Sequence, residues 1–440
     1  MISSLSLLAL PLLSTASSPA AAAALHARHD HEHAVARHLP GATWYQRDDH
    51  PVHALFKRAS TGATDGVTYA AVGSSQWTQG YPEGFVTPKT VPQAWTDALN
   101  DATAKNLIPK IPVATVDTSG ADGSGVPTYP SGNDANGPEV CSASAQCRIP
   151  GDIWDGPDGT LGLSFDDGPT PASDDLSAYL FSQNQTATHF MIGSNIIQSP
   201  KEFLTTFNQG NDIAVHTWSH PYMTTMTNEQ VVAELGWTME LIHNSTGGRV
   251  PRFWRPPFGD SDTRTRAIAK EVFGLTTVIW NQDTDDWSLT DSPPGTSLSK
   301  INASMTKWLT GPKTPGLIIL EHELSNQSVA SFKAAYPLMK ANDWQVVSLA
   351  QLVGNGTAYQ NAQNSGSAVT PVVNIVDAKN VSIAPSSSAA TTSASGTAPS
   401  QTASAPSESP STKPNGALLA SRTSSAGVAI AVIFGLFLCV

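Results

Sequence analysis

Basic residues are scarce in this chain. Its 440 residues carry 24 lysines and arginines against 36 aspartates and glutamates, a formal net charge of −12, which argues against the phosphate grip that nucleic-acid binders need. Cysteine is nearly absent. Of three, Cys439 is next to last, leaving Cys141 and Cys147 to close one short loop of the kind an oxidising compartment permits. There is no internal repeat, and the C-terminal apolar run of thirteen residues, 428–440, falls short of the ~20 a helix needs to cross a bilayer. A histidine pair, His216-Thr217-Trp218-Ser219-His220, lacks the glutamate of the His-Glu-x-x-His metalloprotease motif.

What is present begins with Ser164-Phe165-Asp166-Asp167-Gly168-Pro169, two adjacent carboxylates at the end of an apolar stretch that stops at a Gly-Pro turn. Side by side at the end of a buried strand they repel and lose hydration, which is tolerable if a cation neutralises one and an arginine the other. His216 and His220 stand at metal-ligand spacing, and Arg255 opens Arg255-Pro256-Pro257-Phe258. Each signal alone has an ordinary reading: a solvated turn, two unrelated histidines, an extended surface segment.

Their phase is what joins them. Short apolar runs at 161–165, 187–192, 213–215, 252–254, 275–280, 316–320 and 345–347 read as buried strands. Helix-length amphipathic segments alternate with them, as at 227–243, where Thr227 and Gln230 form a capping-box start and Val231, Leu235, Met239 and Ile242 mark one face. Such alternation predicts parallel strands with right-handed crossovers. Asp166, His216, Arg255, Asp286 and His322 all fall at or just past the C-terminal ends of predicted strands, where an α/β barrel gathers its chemistry.

These residues resemble the polysaccharide deacetylases with the NodB homology domain (carbohydrate esterase family 4), the fungal chitin deacetylases in particular. Five motifs match in order: the Asp-Asp-Gly-Pro strand end, 216–220, 255–258, Asp283-Thr284-Asp285-Asp286-Trp287 and Leu320-Glu321-His322-Glu323. The resemblance implies a distorted (β/α) barrel over 151–355 with an N-terminal extension. It implies Asp166 as general base, oriented by Arg255, and His322 as general acid, oriented by Asp286. Asp167, His216 and His220 would hold one divalent ion, Zn2+ or Co2+, and Phe258, Trp287, Trp218 and Leu320 would face the substrate. The implied substrate is cell-wall chitin, deacetylated to chitosan and acetate; partly deacetylated chitin or chitooligosaccharides are alternatives. A non-catalytic wall carbohydrate-binding protein on the same fold is the reading from another class, and retention of both carboxylates, both histidines, Arg255 and His322 argues against it.

Phe258 stands where many members carry Tyr, Ser164 where Thr is commoner, and Glu323 where Asp is frequent. His189, on a strand position where an aromatic is usual, reads as a packed core histidine. None of these removes a group the chemistry needs. An acetamide is a poor electrophile with a poor leaving group, so its hydrolysis requires an activated water, a stabilised oxyanion and a proton for the departing nitrogen.

The ends speak of location. Residues 1–20 read as a secretory signal, although a basic residue is missing before the apolar run, and the histidine-rich 21–58, ending in Lys57-Arg58, as a propeptide. Residues 59–150 form the extension, which is expected to wrap the barrel or approach the cleft. Residues 356–415 read as a linker and Ser/Thr/Pro-rich stalk, and 416–440 as a GPI-anchor signal following an attachment site at Asn415. Sequons at Asn184, Asn244, Asn302, Asn326, Asn355 and Asn380 agree with secretion. The expected protein is thus held at the outer membrane face and cell wall by a glycolipid.

Overall fold

The computed structural model describes residues 63–117, 125–353 and 356–383. The expected signal, propeptide, stalk and anchor segments, with Asn355, Asn415 and Cys439, lie outside the described residues. Six strands form one parallel sheet: β1 (Thr160–Gly168), β2 (Thr188–Met191), β3 (Asp212–Val215), β4 (Phe253–Trp254), β5 (Thr276–Thr277) and, outermost, β8 (Gln345–Ser348) beside β1. A second pair joins β6 (Gln282–Asp283) to β7 (Ile319–Leu320).

These two sheets make one ring. Residues 276–283 pair with β4 at their start and with β7 at their end. The β7 segment then returns to β1 through bridges Leu161–Leu317 and Asp166–His322. The result is a closed, irregular (β/α) barrel with β8 appended, as the strand-helix alternation predicts. β1 is buried along its whole length, as parallel strands covered on both faces must be. Side chains alternate across the wall: Phe190, Ala214, Phe253, Val278 and Ile318 cluster together, while Leu161, Leu163, Phe165, Leu317 and Ile319 pack with the helices outside.

The helix predicted at 227–243 is Asn228–Ser245, and both hydrogen bonds of its Thr227–Gln230 capping box are present. The extension contributes the helix Gln93–Ala104, whose Trp95 and Leu99 join the cluster of Val231, Leu235, Met239 and Ile242. The two helices approach closely because Gly236 has no side chain; a Cβ there would stand 2.5 Å from the Trp95 ring.

One expected boundary is corrected. Residues 356–383 are not a linker: Tyr359, Ala362 and Ile375 are buried. The Asn361 side chain accepts from the Val250 N–H at 2.9 Å, and Gln360 donates to the carbonyls of Pro251 and Phe273. A polar composition that reads as loop here supplies amides that satisfy barrel backbone. Among the described residues no helix is long and apolar enough to cross a membrane.

Candidate active site

At the end of β1 the pleat turns Leu163 and Phe165 outward and Ser164 and Asp166 inward. Arg255, just past β4, reaches across with Nη1 2.6 Å from Asp166 Oδ1 and Nη2 donating to Ser164 Oγ at 3.1 Å. Both members of this ion pair are buried, and the guanidinium also lies over the Phe190 ring at 4.3 Å. An arginine so held fixes the orientation of the Asp166 carboxylate.

Asp167 leaves the strand in the left-handed region (φ 68°), its carbonyl accepting from Asn195 Nδ2 at 2.8 Å. Its Oδ1 lies 3.1 Å from His216 Nε2 and 3.2 Å from His220 Nε2. The loop carrying the two histidines is tied down by Glu234, fully buried on the helix Asn228–Ser245. Its carboxylate accepts the N–H groups of Trp218 and Ser219 at 2.8 and 2.9 Å and the Ser219 hydroxyl at 2.7 Å. Glu234 was not singled out from the sequence, although a glutamate on the apolar side of an amphipathic helix is a signal of this kind.

A metal fits this triad. His216 Nδ1 faces the Arg255 carbonyl at 2.8 Å; a carbonyl can only accept, so Nδ1 carries the hydrogen and Nε2 presents its lone pair. Asp167 Oδ1 is a buried oxygen with no hydrogen-bond partner. Donor atoms of Asp167, His216 and His220 all lie within 4.8 Å of one another. Electron pairs converging without a donor between them call for a cation.

Opposite stands His322, just past β7. Its Nδ1 is 2.6 Å from Asp286 Oδ1, and its backbone N–H donates to Asp286 Oδ2 at 2.9 Å, so one carboxylate grips ring and backbone together. Burial disfavours the imidazolium, yet Asp286, followed by Asp167 and Asp166, more than offsets it and lifts His322 to about 10. His322 Nε2 lies 4.0 Å from Asp167 Oδ2.

These groups open on a cleft of about 440 Å³, whose walls include Phe258, Trp287 and Leu320. Phe258, at φ 58°, is 48% exposed, so its ring presents apolar surface to the cleft. Trp218 is the correction. It is fully buried, with Nε1 donating to the Gly84 carbonyl at 3.2 Å, because its ring fills the core beneath the histidine loop instead of the rim. Tyr222 is at the rim instead, stacked on Phe258 with centroids 4.1 Å apart. The Tyr222 hydroxyl accepts from the Gly125 N–H at 2.9 Å, so the extension both wraps the barrel and borders the cleft. Asp283 also lines it, pushed up to about 6 by burial.

Away from the cleft, Cys141 and Cys147 are joined in a disulfide. Asn184, Asn302, Asn326 and Asn380 are exposed, and Asn244 is half-buried with its side-chain amide donating to Glu240 at 3.2 Å.

Comparison with known proteins places residues 155–278 in a match to the family described as polysaccharide deacetylase. Over 315 residues the chain is 45% identical to chitin deacetylase 3 of Cryptococcus neoformans var. neoformans serotype D, spanning 70% of this chain and 72% of that protein. It is 34% identical over 337 residues to chitin deacetylase 1 of Cryptococcus neoformans var. grubii serotype A, spanning 72% and 68%. Among solved structures it is similar to the chitin deacetylase of Colletotrichum lindemuthianum, at 20% identity and a TM-score of 0.42, over 46% of this chain and 91% of that one.

Proposed function

From the premise that this chain belongs to the polysaccharide deacetylase family and is a deacetylase hydrolase, we propose that it is a metal-dependent enzyme that removes acetyl groups from cell-wall chitin, leaving chitosan and acetate. One observation carries the reading: an arginine-held carboxylate and a carboxylate-held histidine flank the same three metal-ligating side chains. A binding module has no use for that arrangement.

Asp167, His216 and His220 would hold Zn2+ or Co2+, since two imidazoles and a carboxylate suit borderline metals better than calcium or magnesium. When bound, such an ion supplies a Lewis acid that acidifies water and polarises the acetamide carbonyl. Asp166 takes a proton from the water as its oxygen attacks the carbonyl carbon. The Phe258 backbone N–H is the chain's own donor toward the developing oxyanion. His322 gives its Nε2 proton to the nitrogen as the C–N bond breaks, so acetate and a free amine leave together. Phe258, Trp287 and Leu320 offer apolar surface to the pyranose rings. The mature enzyme, in this proposal, is secreted and held by a GPI glycolipid at the outer membrane face and wall.

The test is acetate release by purified enzyme from chitin, partly deacetylated chitosan and chitooligosaccharides, with and without added zinc or cobalt after chelation. Release from chitin that disappears on chelation and in Asp167→Asn is the expected outcome. A clear preference for chitosan or for oligomers would replace chitin as the substrate. Wild-type metal affinity in the double variant His216→Ala/His220→Ala would sink the ligand assignment.

A further inference from the structure

Two buried side chains that the proposed chemistry does not use lie directly behind the Asp166–Asp167 strand end. Glu323, the residue after His322, and His189 on β2 are both fully buried, and Glu323 Oε1 lies 2.8 Å from His189 Nδ1. The sequence marks His189 only as a packed core histidine; the structure gives it a partner 134 residues away. The two polar groups satisfy one another, and neither could be left alone in this interior without large cost.

Glu323 is fastened to the carboxylate strand at several points. Its N–H donates to the Asp166 carbonyl at 3.1 Å, and its own carbonyl accepts the Thr170 hydroxyl at 2.5 Å. Its carboxyl fills the space where residue 168 would carry a side chain, with Oε1 only 2.0 Å from the position of a Cβ on Gly168. Between these contacts sits Asp167 in the left-handed region, a costly backbone state for a residue other than glycine that persists only when its surroundings over-determine it. The Glu323 contacts are a large part of that surrounding, and His189 is what holds the Glu323 carboxyl in place.

We propose that Glu323 and His189 are a positioning pair. They lock the strand end bearing Asp166 and Asp167 to the strand end bearing His322, and so fix the spacing between base, metal ligand and acid. This rests on the function proposed above for those three residues. It concerns geometry behind the cleft, since neither side chain lines it.

The experiment compares Glu323→Met, His189→Phe and the double variant with wild type in three readouts: kcat and KM for a chitooligosaccharide, zinc affinity by chelator competition, and Tm. Each single variant is expected to lower kcat and zinc affinity by about 10- to 100-fold, the size of effect that loosening the surroundings of a metal site produces, with KM nearly unchanged. The double variant should lose no more than the worse single one, because the two act as a unit. A fall in Tm with kcat and zinc affinity unchanged would overturn the proposal, as would losses that multiply in the double variant. Should His189→Phe fail to fold, Glu323→Met, close to glutamate in size but without an acceptor, supplies the same readouts. If wild type releases no acetate, the proposed function fails, while the zinc measurements still decide whether the pair positions Asp167.

Discussion

Asp167, Thr217, His220 and Phe258 all occupy the left-handed backbone region, with φ between 58° and 68°, and three of them border or belong to the metal-ligating triad. Backbone strain concentrated at one site is paid for by packing elsewhere, and it aims side chains where a regular strand or helix would not. The charges follow the same logic. His322 must carry a proton to serve as an acid, and burial alone would strip it. Asp286 is the largest contribution that offsets burial and holds the proton on the ring. In Asp286→Asn the amide oxygen can still accept from Nδ1, but the negative charge is gone, so the ring should lose its proton at lower pH. The alkaline limb of the kcat profile is therefore expected to move down in pH while the acid limb stays. At neutral pH the rate should fall by up to the ~10²- to 10⁴-fold that a positioned acid contributes. An unmoved alkaline limb would mean that another group delivers the proton.

At the scale of elements, legibility followed physical range. The apolar runs ending in Phe165, Val215 and Leu320 were readable because burial on both faces writes itself into consecutive residues. The two-residue β6 was not, since Gln282 and Asp283 are polar and pair only because β7 lies beside them. Asp166, Asp167, His216, His220, Arg255, Asp286 and His322 were legible as a set because chemistry restricts their types and the barrel restricts their phase. Glu234, His189 with Glu323, and the Tyr222–Gly125 contact were not, because each depends on a partner far away in the chain. Trp218 could not be sorted from Trp287, as an aromatic beside a motif suits core and rim equally.

The packing of the extension on the barrel gives an element-scale test. Replacing a mid-helix glycine by alanine ordinarily favours the helix by about 0.5–1 kcal/mol. At Gly236 a Cβ would lie 2.5 Å from Trp95 and 2.9 Å from Phe273. Gly236→Ala is therefore expected to lower stability, by the ~1–3 kcal/mol typical of overpacking. Thermal unfolding checks the sign. A raised Tm would show that the helix Gln93–Ala104 yields easily and that the extension is only loosely held to the barrel.

At the scale of the whole molecule, the described residues form a barrel whose cleft is bordered by the extension through Gly125, with acidic groups and apolar rings facing the opening. The proposed substrate, an insoluble wall polymer, cannot diffuse to an enzyme, so the proposal requires that the enzyme be delivered to it and kept there. The proposed glycolipid anchor meets that need. It rests on the order of Asn415-Gly416-Ala417, a spacer and the apolar run 428–440, which is the order the transfer reaction requires. If the proposal holds, truncation before Asn415 should send active enzyme into the medium with kcat unchanged, because every residue assigned to the chemistry lies between 166 and 322. Phosphatidylinositol-specific phospholipase should release the untruncated protein from intact cells with a gain in aqueous partitioning. Peptide mapping of the cell-derived protein supplies the decisive measurement. Cys439 should be missing from the mature chain, and its recovery would mean that the apolar run is retained and that some other contact holds the enzyme at the surface.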